Sequence, residues 1–299
     1  MIGKRHMMAG LGGLAASRAT GGQATALAGL PAAFARIEAS IGGRLGVAVL
    51  DTATGAQAGH RAAERFQLSS TFKLLAAAAA LARVDAGQDR LDRRLRFEAA
   101  DLVVYSPVTQ AHAGGPGMTL AEVCEAAMIL SDNAAGNLLL GSLGGPAGLT
   151  GFARSLGDAE TRLDRIEPAL NEALPGDPRD TTTPAAMLAN LRALTLGDAL
   201  SPGSRERLVG WLVGNRTGDT RLRAGLPAGW RAGDKTGAGE HGTTNDVGIL
   251  WPPGGPPRGV PGSAPVLVAA YITGSTAPVE QRNAALAAVA RAVAAALGG

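Results

Sequence analysis

Ser70 and Lys73 stand three residues apart in Ser70-Thr71-Phe72-Lys73, at the head of an apolar run that continues to Ala82. On a helix, that spacing brings the hydroxyl and the amine to one face. A serine beside an amine able to give up its proton is the minimal equipment for nucleophilic acyl transfer. The lysine is itself informative. Of 28 basic residues only Lys4, Lys73 and Lys235 are lysines. Arginine serves wherever this chain needs only positive charge, so a retained lysine points to deprotonation or to a compact point charge, neither of which arginine supplies. Ser70 at a helix start also sets its own N–H among the unpaired donors of the first turn, where a developing oxyanion is stabilised. Alone, the Ser-x-x-Lys spacing is a weak signal and reads first as a helix-capping serine followed by a chance lysine.

Three more segments carry suitable side chains. Ser131-Asp132-Asn133 falls between two helical patterns and, taken alone, would serve as an N-cap. Lys235-Thr236-Gly237 lies on an expected strand. With Asp234 it resembles part of a phosphate-binding loop, but Asp234 occupies the glycine position and no helix follows. Arg165-Ile166-Glu167-Pro168-Ala169-Leu170-Asn171 opens an irregular stretch, residues 165–183, with prolines at 168, 175 and 178. Long irregular loops in compact domains are usually functional, and Arg165 with Asp180 is expected to close this one as an ion pair.

The elements that must position these groups follow from periodicity. Residues 30–40 read as a helix, 44–51 as a strand, Thr54-Gly55 as a turn, and a second strand runs towards Arg61. Helical patterns dominate from Ser70 to about Val213, with a capping box at Thr119/Glu122 and a Thr183-Pro184 helix start. Strands are expected at 231–239, 243–251 and 265–273, the last two separated by a Pro/Gly-rich loop at 252–262, before an Ala-rich helix at 278–297. A helical block is thus inserted between two β-rich ends. Their strands can share one antiparallel sheet only if the termini come together, which leaves a cleft between sheet and helices.

In this order and spacing, the four segments resemble the class A serine β-lactamases. The resemblance runs from about residue 30 to the C-terminus and includes Tyr105-Ser106-Pro107-Val108-Thr109 and the end of the loop, Arg179 to Pro184. It implies an α+β fold of the serine β-lactamase/DD-peptidase type, with a five-stranded antiparallel sheet flanked by helices and an all-helical domain. Residues 29–65 and 215–299 would form the sheet domain, and 66–214, with the loop, the helical one. It also implies roles. Ser70 would attack the lactam carbonyl, aided by Lys73, and the N–H groups of Ser70 and Ala238 would hold the oxyanion. Ser131 would relay a proton to the lactam nitrogen. Glu167, with Asn171 and a cis bond to Pro168, would hold the hydrolytic water. Asn133 would bind the substrate's side-chain amide, Lys235, Thr236 and Gly237 would line the carboxylate subsite, and Tyr105 would flank the cleft. In this family the acylation base is disputed between Lys73 and Glu167.

Some positions depart from common members. Thr244 stands where many relatives carry a carboxylate-binding arginine, and Arg221 matches the position that others use instead. Ser69 and Gly239 replace the paired cysteines of carbapenem-hydrolysing members, and Ala78 faces Cys124 where another disulfide occurs. The nearest rival is a penicillin-binding DD-peptidase, which shares three motifs but lacks the Glu167/Asn171 pair. A β-lactam sensor that acylates without turnover is a second, and a non-catalytic structural protein a third.

Composition narrows the rest. The chain has 299 residues, 3% aromatic, so its core must be built from Ala, Leu and Val. The net charge of +3 is dispersed among carboxylates, not gathered in a basic stripe, so no nucleic-acid partner is expected. Lys4 and Arg5, an apolar run from Met7 to Ala16, and Ala26-Leu27-Ala28 read as a secretory signal peptide, residues 1–28. The product would be periplasmic or secreted, without a stable membrane anchor, and monomeric. Cys124 is the sole cysteine and is expected to be buried and inert. His60, His112 and His241 show no metal-ligand spacing, and no cofactor or metal is expected; the partners are β-lactam small molecules.

Overall fold

The computed structural model describes residues 26–254 and 264–298. Most of the expected leader and most of the expected 252–262 loop lie outside them. The strands are β1 (Arg44–Asp51), β2 (Gln57–His60), β3 (Phe66–Gln67), β4 (Arg94–Leu95), β5 (Met118–Thr119), β6 (Thr181–Thr182), β7 (Arg231–Ala238), β8 (Thr244–Trp251) and β9 (Val266–Thr273). The α-helices are α1 (Leu30–Ile41), α2 (Phe72–Asp85), α3 (Leu120–Ile129), α4 (Asn133–Leu143), α5 (Gly145–Ser155), α6 (Pro184–Thr195), α7 (Pro202–Gly214) and α8 (Val279–Ala296).

Five strands form one antiparallel sheet in the order β2-β1-β9-β8-β7. The N-terminal β1 sits beside β9, with Arg44 opposite Thr273 and Asp51 opposite Val266, so the two ends of the chain do meet. One face packs on α1 and α8 through Phe34, Leu45, Val47, Leu286 and Val293. The other face contributes Val247, Leu267 and Tyr271 to a larger core shared with the helical block.

At the centre of that core is α2. Every residue from Phe72 to Leu81 is buried, as an apolar surface on all sides requires. Around it the helix ends follow their local sequence. Thr119 accepts from Glu122 N while Glu122 accepts from Thr119 N, the reciprocal box at the head of α3. Thr183 Oγ1 caps α6 at Ala186 N, with Pro184 next. The stretch from Ala86 to Gly117 departs from the expected helical character: it is mostly turns, organised by the short β4–β5 ladder. A second short ladder, β3–β6, ties the approach to Ser70 to the far end of the 165–183 loop.

Candidate active site

Ser70 sits in a 3-10 turn, Ser69–Thr71, that feeds into α2. Its neighbour Ser69 has φ +41°, a left-handed conformation that non-glycine residues rarely adopt. Ser131, at +58°, and Tyr105, at +62°, share it. Such backbone costs about 1–3 kcal/mol per residue and persists where the surroundings over-determine it. Here the surroundings are visible. Asp132, fully buried, accepts from Val108 N, Thr109 N and Ala135 N, each at 2.9 Å, and so binds the 105–109 loop to the head of α4. Asn133 N donates to Tyr105 O and Asn133 Nδ2 to Val104 O. Tyr105, 55% exposed, therefore flanks the opening on a fixed backbone.

Lys73 is the hub. Its Nζ lies 2.8 Å from Ser70 Oγ, 2.9 Å from Ser131 O, 2.7 Å from Asn133 Oδ1 and 3.0 Å from Glu167 Oε1. Four acceptors surround a group with three donors. Burial pushes its pKa down, against the pull of Glu167 and Asp132. The Ser70 hydroxyl donates to Glu167 Oε1 at 3.2 Å, and Asn171 Nδ2 donates to Glu167 Oε2 at 2.5 Å. Asn171 Oδ1 is buried without a hydrogen-bond partner among the described residues.

The loop that supplies Glu167 is tied at several points. Arg165 Nε donates to Asp180 Oδ2 at 2.6 Å, the expected ion pair, and Asp180 Oδ1 accepts from the N–H groups of Asp164 and Arg165. Arg165 also pairs with Glu172. The Glu167–Pro168 bond is cis. Asn137, on α4, was not among the residues expected from sequence: its Nδ2 donates to Glu167 O and its Oδ1 accepts from Glu167 N, both at 2.9 Å.

The opposite wall is β7. Gly237 is closely packed: a Cβ there would lie 3.0 Å from Leu68 O and 3.3 Å from Ser69 Cβ, so its neighbours would have to give way slightly. Strand and nucleophile turn are therefore in direct contact, with Ala238 next along the strand. Lys235, buried, donates to Ser131 Oγ at 2.9 Å and to Thr236 O at 3.0 Å. Its pKa is held far below the usual lysine range, first by burial and then by the charge of Lys73. Thr236 Oγ1 bonds Thr217 Oγ1, a second residue that sequence reasoning missed. Arg221 lies behind the strand: Nη1 donates to Gly237 O at 2.8 Å and Asn245 O at 2.6 Å, and Nε to Asn283 Oδ1. It is turned away from bulk solvent and engages backbone carbonyls of β7 and β8.

The structure thus gathers Ser70, Lys73, Ser131, Asn133, Glu167, Asn171 and Lys235 into one linked network, with Thr236 and Gly237 on the adjoining strand. A profile of the Beta-lactamase enzyme family matches residues 30–297. The β-lactamase OXY-2 of Klebsiella oxytoca is 50% identical over 257 residues, 86% of each chain. The ancestral (GNCA) class A β-lactamase superposes with a TM-score of 0.85 at 62% identity, covering 89% of this chain and 99% of its own. The chain belongs to the class A β-lactamases. The β-lactamase AST-1 of Nocardia asteroides, 50% identical over 265 residues, spans 89% of this chain and 83% of its own. As a class A β-lactamase the enzyme hydrolyses β-lactams and confers resistance to them.

Proposed function

We propose that the enzyme opens penicillins and cephalosporins through an acyl-enzyme on Ser70, cleared by a water that Glu167 activates. The observation that carries this reading is the placement of Glu167: one carboxylate oxygen reaches both Ser70 Oγ and Lys73 Nζ, and the other is held by Asn171. In acylation the Ser70 Oγ–carbonyl bond forms and the lactam C–N bond breaks. Lys73 donates to Ser70 Oγ, so the hydroxyl proton points to Glu167, which receives it. The N–H groups of Ser70 and Ala238 bind the oxyanion. Ser131 Oγ, fixed by Lys235, delivers a proton to the departing nitrogen and is resupplied from Glu167 by way of Lys73, so Glu167 is a carboxylate again when the lactam has opened. The substrate carboxylate lies against Lys235, Thr236 and Gly237, with Arg221 adding positive charge from behind, while Asn133 takes the side-chain amide and Tyr105 flanks it. In deacylation a water gives one proton to Glu167 as its oxygen bonds the ester carbonyl carbon; the ester C–O bond then breaks and Glu167 passes that proton to Ser70 Oγ. The unpartnered Asn171 Oδ1 supplies an acceptor for that water's other hydrogen.

A penicillin-binding peptidase or a sensor would share Ser70, Lys73 and Lys235. Neither needs a carboxylate held against the nucleophile, and this distinction favours hydrolysis with many turnovers. The mature enzyme is proposed to be exported to the periplasm or medium after removal of residues 1–28, and to act as a monomer without a membrane anchor. Among the described residues no helix is long and apolar enough to cross a membrane.

The test is Glu167→Ala. A positioned base contributes typically about 10²–10⁴-fold, and this variant is expected to react with a penicillin but remain acylated. Mass spectrometry of the intact protein should show the adduct long after the parent has cleared it. Rapid turnover with no trapped adduct would transfer the deacylating role elsewhere.

A further inference from the structure

Away from the cleft, a cavity of about 570 Å³ opens at the C-terminal end of α2, between α5 and the connection from α6 to α7. Its volume falls within the span of small-molecule sites, about 300–1,000 Å³. Ala79, Ala82, Leu143, Phe152, Leu156 and Ala199 give it apolar walls. One full cation, Arg83, lines it, and Arg83 Nε is buried with no hydrogen-bond partner among the described residues.

The nearby acids in sequence are already engaged. Both oxygens of Asp89 hold Arg93, at 2.5 and 2.7 Å. Those of Asp85 accept from Ser201 N, Ser201 Oγ and Ser204 Oγ. The charge of Arg83 is felt at Asp89, but Arg83 Nε itself meets no acceptor; a buried donor left without one is costly, and an anion that reaches it compensates that cost. Apolar side chains beside this donor, with Gln88 and Ser155 the other polar residues of the lining, suit a ligand with one negative end and one apolar end. We propose that this cavity is a second binding site, for an amphipathic monocarboxylate with a medium-length alkyl chain. From Phe72 to Arg83 the helix rises roughly 16 Å, so the ligand occupies a place separate from Ser70 and does not compete with a β-lactam.

Octanoate is the probe, with octanol and octylammonium as neutral and cationic counterparts of equal chain length. Calorimetric titration and thermal melting of the full enzyme should show saturable binding of octanoate alone, with NOE contacts from its methylenes to the Phe152 ring and an unchanged KM for a chromogenic cephalosporin. Arg83→Met should weaken octanoate binding at least about tenfold, as loss of a charge-assisted contact implies, while cephalosporin turnover reports that the variant is folded. Arg83→Lys should retain most of the affinity. Equal affinity for octanol and octanoate, no saturable binding, or undiminished binding to Arg83→Met would each overturn the proposal. The three-ligand comparison on the parent enzyme decides the matter even where a variant fails to fold.

Discussion

Ser131 is held by two lysines at once, Lys73 on its carbonyl oxygen and Lys235 on its hydroxyl. Burial weakens the hold of both amines on their protons, and the charge of Lys73 weakens that of Lys235 further, a response open to lysine and not to arginine. Ser70→Ala removes the proposed nucleophile and should abolish β-lactam hydrolysis, a loss of several orders of magnitude, while circular dichroism remains unchanged. Covalent labelling of that variant by penicillin would contradict the assignment. Arg221 is more instructive. From sequence alone it was expected to reach the substrate carboxylate, but its donors are bound to Gly237 O, Asn245 O and Asn283. Arg221→Ala should therefore lower kcat/KM by about tenfold or more, since bonds from a charged donor are worth about 1.5–3 kcal/mol. The same change should also lower the melting temperature, because two carbonyls on the sheet lose their partner. A loss of kcat/KM with no change in melting would mean that the arginine acts on substrate directly.

At the scale of elements, the catalytic loop depends on α4 as much as on its own ion pair. Asn137 bonds both backbone groups of Glu167, so Asn137→Ala should let the carboxylate drift from the ester. Deacylation is expected to slow more than acylation, seen as a burst in stopped-flow hydrolysis that the parent lacks. Asp132→Ala would strand three backbone donors at about 1–3 kcal/mol each, and urea unfolding should register a loss of more than about 2 kcal/mol. The strands β1, β7, β8 and β9, the caps at Thr119 and Thr183 and the Arg165–Asp180 closure were legible in sequence because each is a local pattern or a pair of opposite charges flanking a loop. Asn137 was not, since an asparagine inside Asn133–Leu143 carries no local mark of a partner 30 residues away. Thr217 likewise meets Thr236 only through the folded sheet. The turns between Ala86 and Gly117 were hidden because two-residue strands are too short to show a period.

Across the whole molecule, one core is shared between the sheet and the helical block, so groups buried there report on global unfolding. Cys124 is such a group: burial pushes its thiol from 9.0 up to about 12. Below 9.0 both folded and unfolded chains keep the proton and the stability is complete. Above it the unfolded chain ionises first, so stability falls as pH rises towards about 12, by about 1.4 kcal/mol per pH unit. Cys124→Ala should give a flatter stability curve between about pH 9.5 and about pH 11, measured by urea denaturation; parallel curves would place the thiol's titration outside the unfolding equilibrium. The pairing of β1 with β9 has a consequence of another kind. Arg44 meets its strand partner at Thr273, so a ribosome has to make nearly the entire polypeptide before the sheet can close. Until then the first strand has an open edge. That delay suits a protein proposed to be exported, because the wall that carries Lys235 is complete only once the last strand has joined the sheet.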